Sequence, residues 1–210
     1  MSKKMFVSFT LDETGSMQSV KSQTIDGFNE YLATLKADKN ANDIRFALTK
    51  FNSDKVDVVY DGVGLDKVEN LTDKTYQPAS LTPLYDAIGL TIKALETKLN
   101  SKKQQKVLVV IQTDGQENHS KEFDSVGIFA LIDEKKKAGW TFVFLGADQD
   151  AWITGQKLGL DMGNVVSYNS AQTKGVFHRA AVATSYYSRT SGAQSSNIFS
   201  EAEDKTNNAR

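Results

Sequence analysis

Asp12, Thr14 and Ser16 stand at alternate positions in the run Leu11-Asp12-Glu13-Thr14-Gly15-Ser16-Met17. In an extended turn, alternate side chains point the same way, so one carboxylate and two hydroxyls converge. Gly15 lets the chain curl before a helix begins. A second segment, Gln112-Thr113-Asp114-Gly115-Gln116-Glu117-Asn118, brings another carboxylate, Asp114, again followed by glycine. Between them, Thr82-Pro83 puts a third hydroxyl where a helix starts, a position at which proline is tolerated. Oxygen donors without His or Cys suit a hard divalent cation: Mg²⁺ first, with Mn²⁺ or Ca²⁺ as alternatives. Two carboxylates roughly neutralise such an ion, and neutral hydroxyls leave it electrophilic. An unfilled or water-filled position would then accept a carboxylate from outside.

Each segment alone has a plainer explanation. Asp-x-Thr-x-Ser is common turn chemistry, with Ser16 capping the following helix, and Asp114-Gly115 is a common turn. Glu13, Glu117 and Asn118 lie in the same loops, as solvated residues or as rim contacts that select a partner. Asp148 and Asp150 are expected to cap the helix after them. His119 reads as a loop residue and His178 as a structural or surface one, because neither has a second imidazole partner. Lys135-Lys136-Lys137 reads as a solvated helix end, favourable near a negative C-terminus.

The elements that must position these residues alternate along the chain. Phe6–Leu11 is a strand, and Met17–Lys36 carries apolar residues at helical spacing. Ile44–Phe51 and Lys55–Tyr60, joined by Asn52-Ser53-Asp54, form a hairpin. Residues 61–79 are a loop with room for one short helix. The helix opened by Thr82-Pro83 buries Leu84, Ile88, Ile92, Leu95 and Leu99. Lys106–Ile111 is the most strand-like run, as expected of a central strand covered on both faces. A helix over Asp124–Lys137, a strand over Trp140–Leu145, a helix over Asp150–Leu158, a strand over Asn164–Tyr168 and a helix over Ala171–Tyr187 follow. The pattern implies an α/β fold: a Rossmann-like, doubly wound, mostly parallel sheet with one antiparallel edge strand and helices on both faces. Ligands of such sheets bind beyond the carboxyl ends of the strands, where chain direction reverses.

Bulk properties narrow the function classes. The chain has 210 residues, 40% hydrophobic and 24% charged, which suits one globular domain. Residues 1–190 are expected to form it and 191–210 a polar, flexible tail. A net charge of −1 gives no field to draw the chain to nucleic acid or an anionic membrane. The absence of cysteine excludes disulfides, thiolate metal sites and cysteine nucleophiles, and fits a cytoplasmic home. The apolar run Met5–Leu11 ends at Asp12 without a small-residue cleavage site, so it reads as a strand rather than a leader.

Asp-x-Thr-x-Ser at 12–16, Thr-Pro-Leu-Tyr-Asp-Ala at 82–87 and Thr-Asp-Gly-x-Glu-Asn at 113–118 together resemble the metal-ion-dependent adhesion site of von Willebrand factor A domains. The resemblance covers about residues 4–168. The run Leu145-Gly146-Ala147-Asp148-Gln149-Asp150-Ala151 is similar to small bacterial and bacteriophage members. It implies that Asp12, Thr14, Ser16, Thr82 and Asp114 are direct or water-mediated metal ligands, and that the partner is a protein presenting Asp or Glu. Thr14 replaces the commoner serine, keeping the hydroxyl and adding a methyl. Two alternatives remain. One is a metal-independent scaffold. The other is a haloacid-dehalogenase-like phosphotransferase, but that chemistry needs a second carboxylate two residues after the nucleophile, and Thr14 stands there. No Ser-His-Asp set and no Gly-x-x-x-x-Gly-Lys phosphate loop is present, so an enzyme is not expected.

Overall fold

The computed structural model describes residues 4–99, 105–147, 151–192 and 194–207. Strands β1 (Met5–Asp12), β2 (Ile44–Asn52), β3 (Lys55–Gly64), β4 (Lys106–Thr113), β5 (Thr141–Ala147) and β6 (Val165–Tyr168) form one sheet in the order β3-β2-β1-β4-β5-β6. Every pairing is parallel except β2 with β3. The antiparallel strand therefore sits at an edge, as the hairpin pattern implies. Asn52 makes the turn: its side-chain oxygen accepts the N–H groups of Asp54 at 3.0 Å and Lys55 at 3.1 Å.

β1 and β4 are adjacent inner strands. All of β1 is buried, as is β4 from Val107 onward, because helices cover both faces. Helices α1 (Lys21–Ala37), α5 (Thr173–Arg189) and α6 (Ile198–Asn207) lie on one face. There Phe9 packs edge-on against Phe28 and Tyr31 and stacks on Phe177. Helices α2 (Leu84–Glu96), α3 (Ser125–Lys137) and α4 (Ala151–Lys157) cover the other face through Ile88, Ile92, Ile128 and Ile132. Burying each such side chain contributes about 1.5–3 kcal/mol. From β1 the chain winds toward β2; from β4 it winds toward β5 and β6. The reversal falls between β1 and β4, so their carboxyl ends frame the crevice where ligands of such sheets bind.

Two expectations change. The first helix does not run unbroken from Met17: Gly15–Val20 is a tighter 3₁₀ segment, and α1 begins at Lys21. Within the stretch expected to be a polar, flexible tail, Ile198–Asn207 forms a helix. Ile198, Phe199 and Ala202 are buried, Asn164 accepts the Ile198 N–H at 2.8 Å, and Arg179 pairs with Glu203 at 2.6 Å. One apolar turn suffices to dock a helix whose remainder is polar. The expected caps Asp148 and Asp150 lie outside the described residues. No helix among the described residues is long and apolar enough to cross a membrane.

Candidate functional site

Asp12 is the last residue of β1 and is 0% exposed. Its Oδ1 accepts the Thr14 N–H at 2.7 Å and its Oδ2 accepts the Thr113 hydroxyl at 2.5 Å. Burial pushes its carboxyl up to about 6; the hydrogen bonds from Thr113 and Thr14 oppose this, and the nearby Asp114 adds to it. No ion pair engages it among the described residues. Each carboxylate oxygen accepts more than one bond, so Asp12 keeps acceptor capacity.

The other four expected residues converge on the same spot. Ser16 Oγ donates to Asp114 Oδ1 at 2.6 Å and lies 3.3 Å from Thr14 Oγ1. The Ser16 hydroxyl is therefore committed to the β4 loop, and the first helical segment has no side-chain cap. Thr82 is brought in by Asn118, whose side-chain oxygen accepts the Thr82 N–H at 2.9 Å and whose N–H donates to the Thr82 carbonyl at 3.1 Å. A Cβ added at Gly115 would lie 3.1 Å from Thr82 Oγ1 and 3.6 Å from Ser16 Oγ. Glycine there keeps open a small cradle walled by hydroxyls. Across the first loop, Gly15 donates its N–H to the Ser80 carbonyl at 2.9 Å. Ser80 adopts φ 66°, a left-handed conformation uncommon outside glycine. Asp12, Thr14 and Thr82 are buried, Asp114 is half-buried and Ser16 is exposed, so the cluster opens on the Ser16–Asp114 side.

The proposed rim divides. Glu13 is not at the rim: it is 2% exposed and pairs with Lys50 at 2.9 Å. The same Glu13 oxygen accepts the Gln77 N–H at 2.7 Å. Burial without such partners would be costly for both charges. Glu117 is half-buried and saturated. Its Oε1 accepts the N–H groups of His119 and Ser120 at 2.8 and 2.7 Å. Its Oε2 accepts the Tyr85 N–H at 2.9 Å and the Ser120 hydroxyl at 2.6 Å. A carboxylate at the first turn of α2 complements the helix dipole. Asn118 is exposed, but its side-chain oxygen holds Thr82.

Three further residues build the site without having been singled out. Thr113 orients Asp12. Tyr76 is buried beneath the first loop, donates its hydroxyl to the Asp12 carbonyl at 2.5 Å, and is pushed well above the usual phenol range by burial. Asp86 ties the loop after β4 to α2 by accepting the N–H groups of Lys121 at 2.8 Å and of Glu122 and Phe123 at 2.9 Å. Thr113 and Asp86 lay within the quoted motifs, whereas nothing local marked Tyr76.

Among the described residues, no three or more His, Cys, Asp or Glu side chains group to hold a metal ion. A cation here would draw on two carboxylates and on hydroxyls. The open cradle at Gly115, the buried Asp12 carboxylate and the oxygen-only donor set fit such an ion.

Comparison with known proteins bears on this geometry. The model of the von Willebrand factor type A domain matches residues 7–179. No curated protein gives a significant match. Among solved structures, the chain is similar to the vWF domain of the type V pili tip protein Mfa5 from Porphyromonas gingivalis, at TM-score 0.66 and 11% identity, covering 90% of this chain and 98% of that one. It is also similar to proximal thread matrix protein 1 from the mussel byssus, at TM-score 0.63 and 10% identity over 86% of this chain and 47% of that one. The pilus adhesin SpaC from Lactobacillus rhamnosus GG, in its open conformation, gives TM-score 0.60 and 13% identity over 85% of this chain and 30% of that one. The chain thus spans less than half the length of the latter two. At these identities the likeness is one of fold.

Proposed function

The chain belongs to the von Willebrand factor type A domain family, and from that premise we propose that it is a protein-binding module whose contact point is the cluster between β1 and β4. The observation that carries this reading is the convergence of Asp12, Thr14, Ser16, Thr82 and Asp114 around an open cradle, with Asp12 buried and without an ion pair among the described residues. These five would hold a divalent cation, Mg²⁺ or else Mn²⁺ or Ca²⁺, directly or through water. Bound there, the ion would offer an electrophilic position to an Asp or Glu of the partner.

The chain's own residues prepare that contact. Thr113 and the Thr14 N–H fix the Asp12 carboxylate. Ser16 and Asp114 join the two loops, and Asn118 holds Thr82 at the wall. Such fixed geometry lowers the ordering cost of binding. We read the module as non-enzymatic, because Thr14 takes the place where a phosphotransferase carries its acid/base carboxylate. The run from Leu145 to Ala151 supports placing it with small bacterial or bacteriophage members.

A random twelve-residue peptide library displayed on phage tests the reading, selected on the immobilised full chain in Mg²⁺. Bound phage are expected to carry Asp or Glu, to elute with chelator, and to bind Thr82→Ala weakly while circular dichroism is unchanged. Binding that survives both chelator and Thr82→Ala at full strength would favour the metal-independent scaffold.

A further inference from the structure

Among the described residues, an apolar groove lies open beside the candidate site. Val126 and Phe129, one helical turn apart on α3, are 75% and 46% exposed, and Ile153 on α4 is 50% exposed. Single exposed apolar residues are ordinary, whereas clustered ones mark interaction surfaces. Tyr85, Val126, Phe129 and Lys157 line a hollow of ≈ 470 Å³. Tyr85, Ile153 and Lys157 also line a smaller one of ≈ 120 Å³, together with Gln116 and Glu117. Because the hollows share Tyr85 and Lys157, they form one groove that starts two residues beyond Asp114 and reaches α3 and α4. The larger hollow falls within the roughly 300–1,000 Å³ of ordinary ligand pockets.

The groove is preformed, and Lys157 is the charged residue lining its larger hollow. Gly159 has φ +71°, and a Cβ on it would come within 2.7 Å of the Phe129 ring. The ring therefore rests on bare backbone, and packing rather than the partner holds it half out in solvent. Glu117, the acidic residue of the lining, has both oxygens occupied by the four donors described above. Lys157 closes α4, and no ion pair engages it among the described residues. An apolar trough ending on an ammonium group complements an apolar side chain next to a carboxylate.

We propose that this groove is the second docking point for the partner protein, taking an aromatic or large aliphatic side chain whose neighbouring Asp or Glu reaches Lys157. The proposal rests on the reading of the β1–β4 cluster as the partner's first contact, since it is the same segment, continuing past Asp114, that would enter the groove. Two contacts on one rigid surface give selectivity that a lone carboxylate contact lacks.

Twelve-residue peptides recovered from the phage library in Mg²⁺, then synthesised singly, supply the probe. They are expected to carry a second acidic residue beside Phe, Tyr, Trp, Leu or Ile. Fluorescence anisotropy would compare the full-length wild type with Lys157→Glu, Lys157→Arg, Val126→Ser and Asp114→Ala, each checked for an unchanged thermal midpoint. Lys157→Glu and Val126→Ser should each weaken binding at least fivefold, with Lys157→Arg close to wild type. Loss on Asp114→Ala and in chelator, with both groove variants binding as wild type, would overturn the groove while the site reading stands. Loss on the groove variants alone would keep the groove as a docking surface and overturn the site reading. A library that yields no peptide above a blank surface would overturn the proposal.

Discussion

Asp12 and Glu13 are consecutive carboxylates, 0% and 2% exposed, and the fold treats them in opposite ways. Glu13 meets Lys50 across the β1–β2 boundary, and Lys50 is completed by the Thr75 carbonyl at 2.7 Å. Asp12 accepts from an amide and a hydroxyl, no ion pair engages it among the described residues, and burial raises its carboxyl to about 6. The same division runs through the β4 loop. Glu117 has both oxygens satisfied within the chain, while Asp114, three residues earlier, faces the exposed Ser16 and the open cradle. Acidic side chains at strand ends thus fall into two classes. One class is saturated by the fold's own donors and holds loops in place. The other belongs to the cluster proposed as the cation site.

The largest expected effect breaks the first class. Glu13→Gln leaves Lys50 buried without its counter-charge, and urea unfolding in the absence of metal should show a loss of about 3–5 kcal/mol. In chelator, Asp12→Asn should cost little or stabilise, because it removes a desolvated charge held by neutral donors rather than by a counter-charge. Equal losses for the two variants would erase the distinction between the classes. Asp86→Ala comes next. It removes the acceptor of three backbone N–H groups in the loop after β4, and about 2 kcal/mol should be lost in the same assay. The smallest effect is at Gly115→Ala. The added methyl, 3.1 Å from Thr82 Oγ1, enters the cradle rather than the core. Stability should change by about 1 kcal/mol or less, while Mn²⁺ affinity measured by calorimetry should fall about fivefold.

The two classes differ in how far the sequence reveals them. The inner strands are legible because burial on both faces demands runs such as Val107-Leu108-Val109-Val110-Ile111. The cluster is legible because its residues repeat at short, fixed spacing in three segments. The internal role of Glu13 depends on Lys50, which lies 37 residues away, and that of Glu117 on the Tyr85 amide, which lies 32 residues away. Spacing within a loop carries no trace of such partners, so both residues look like rim residues. Tyr76 reaches Asp12 from a loop 64 residues distant and is hidden for the same reason. Helix α6 is missed because Ile198, Phe199 and Ala202 form one short apolar face in a polar segment.

Calorimetric titration of Mn²⁺ into wild type, Asp12→Asn and Glu117→Gln tests the division most directly, with circular dichroism confirming the fold of each. Asp12→Asn should lose at least about tenfold in affinity, or about 1.4 kcal/mol, while Glu117→Gln should bind within about twofold of wild type. Unchanged Mn²⁺ affinity in Asp12→Asn, or an equal loss in Glu117→Gln, would contradict the assignment of the cluster as the cation site.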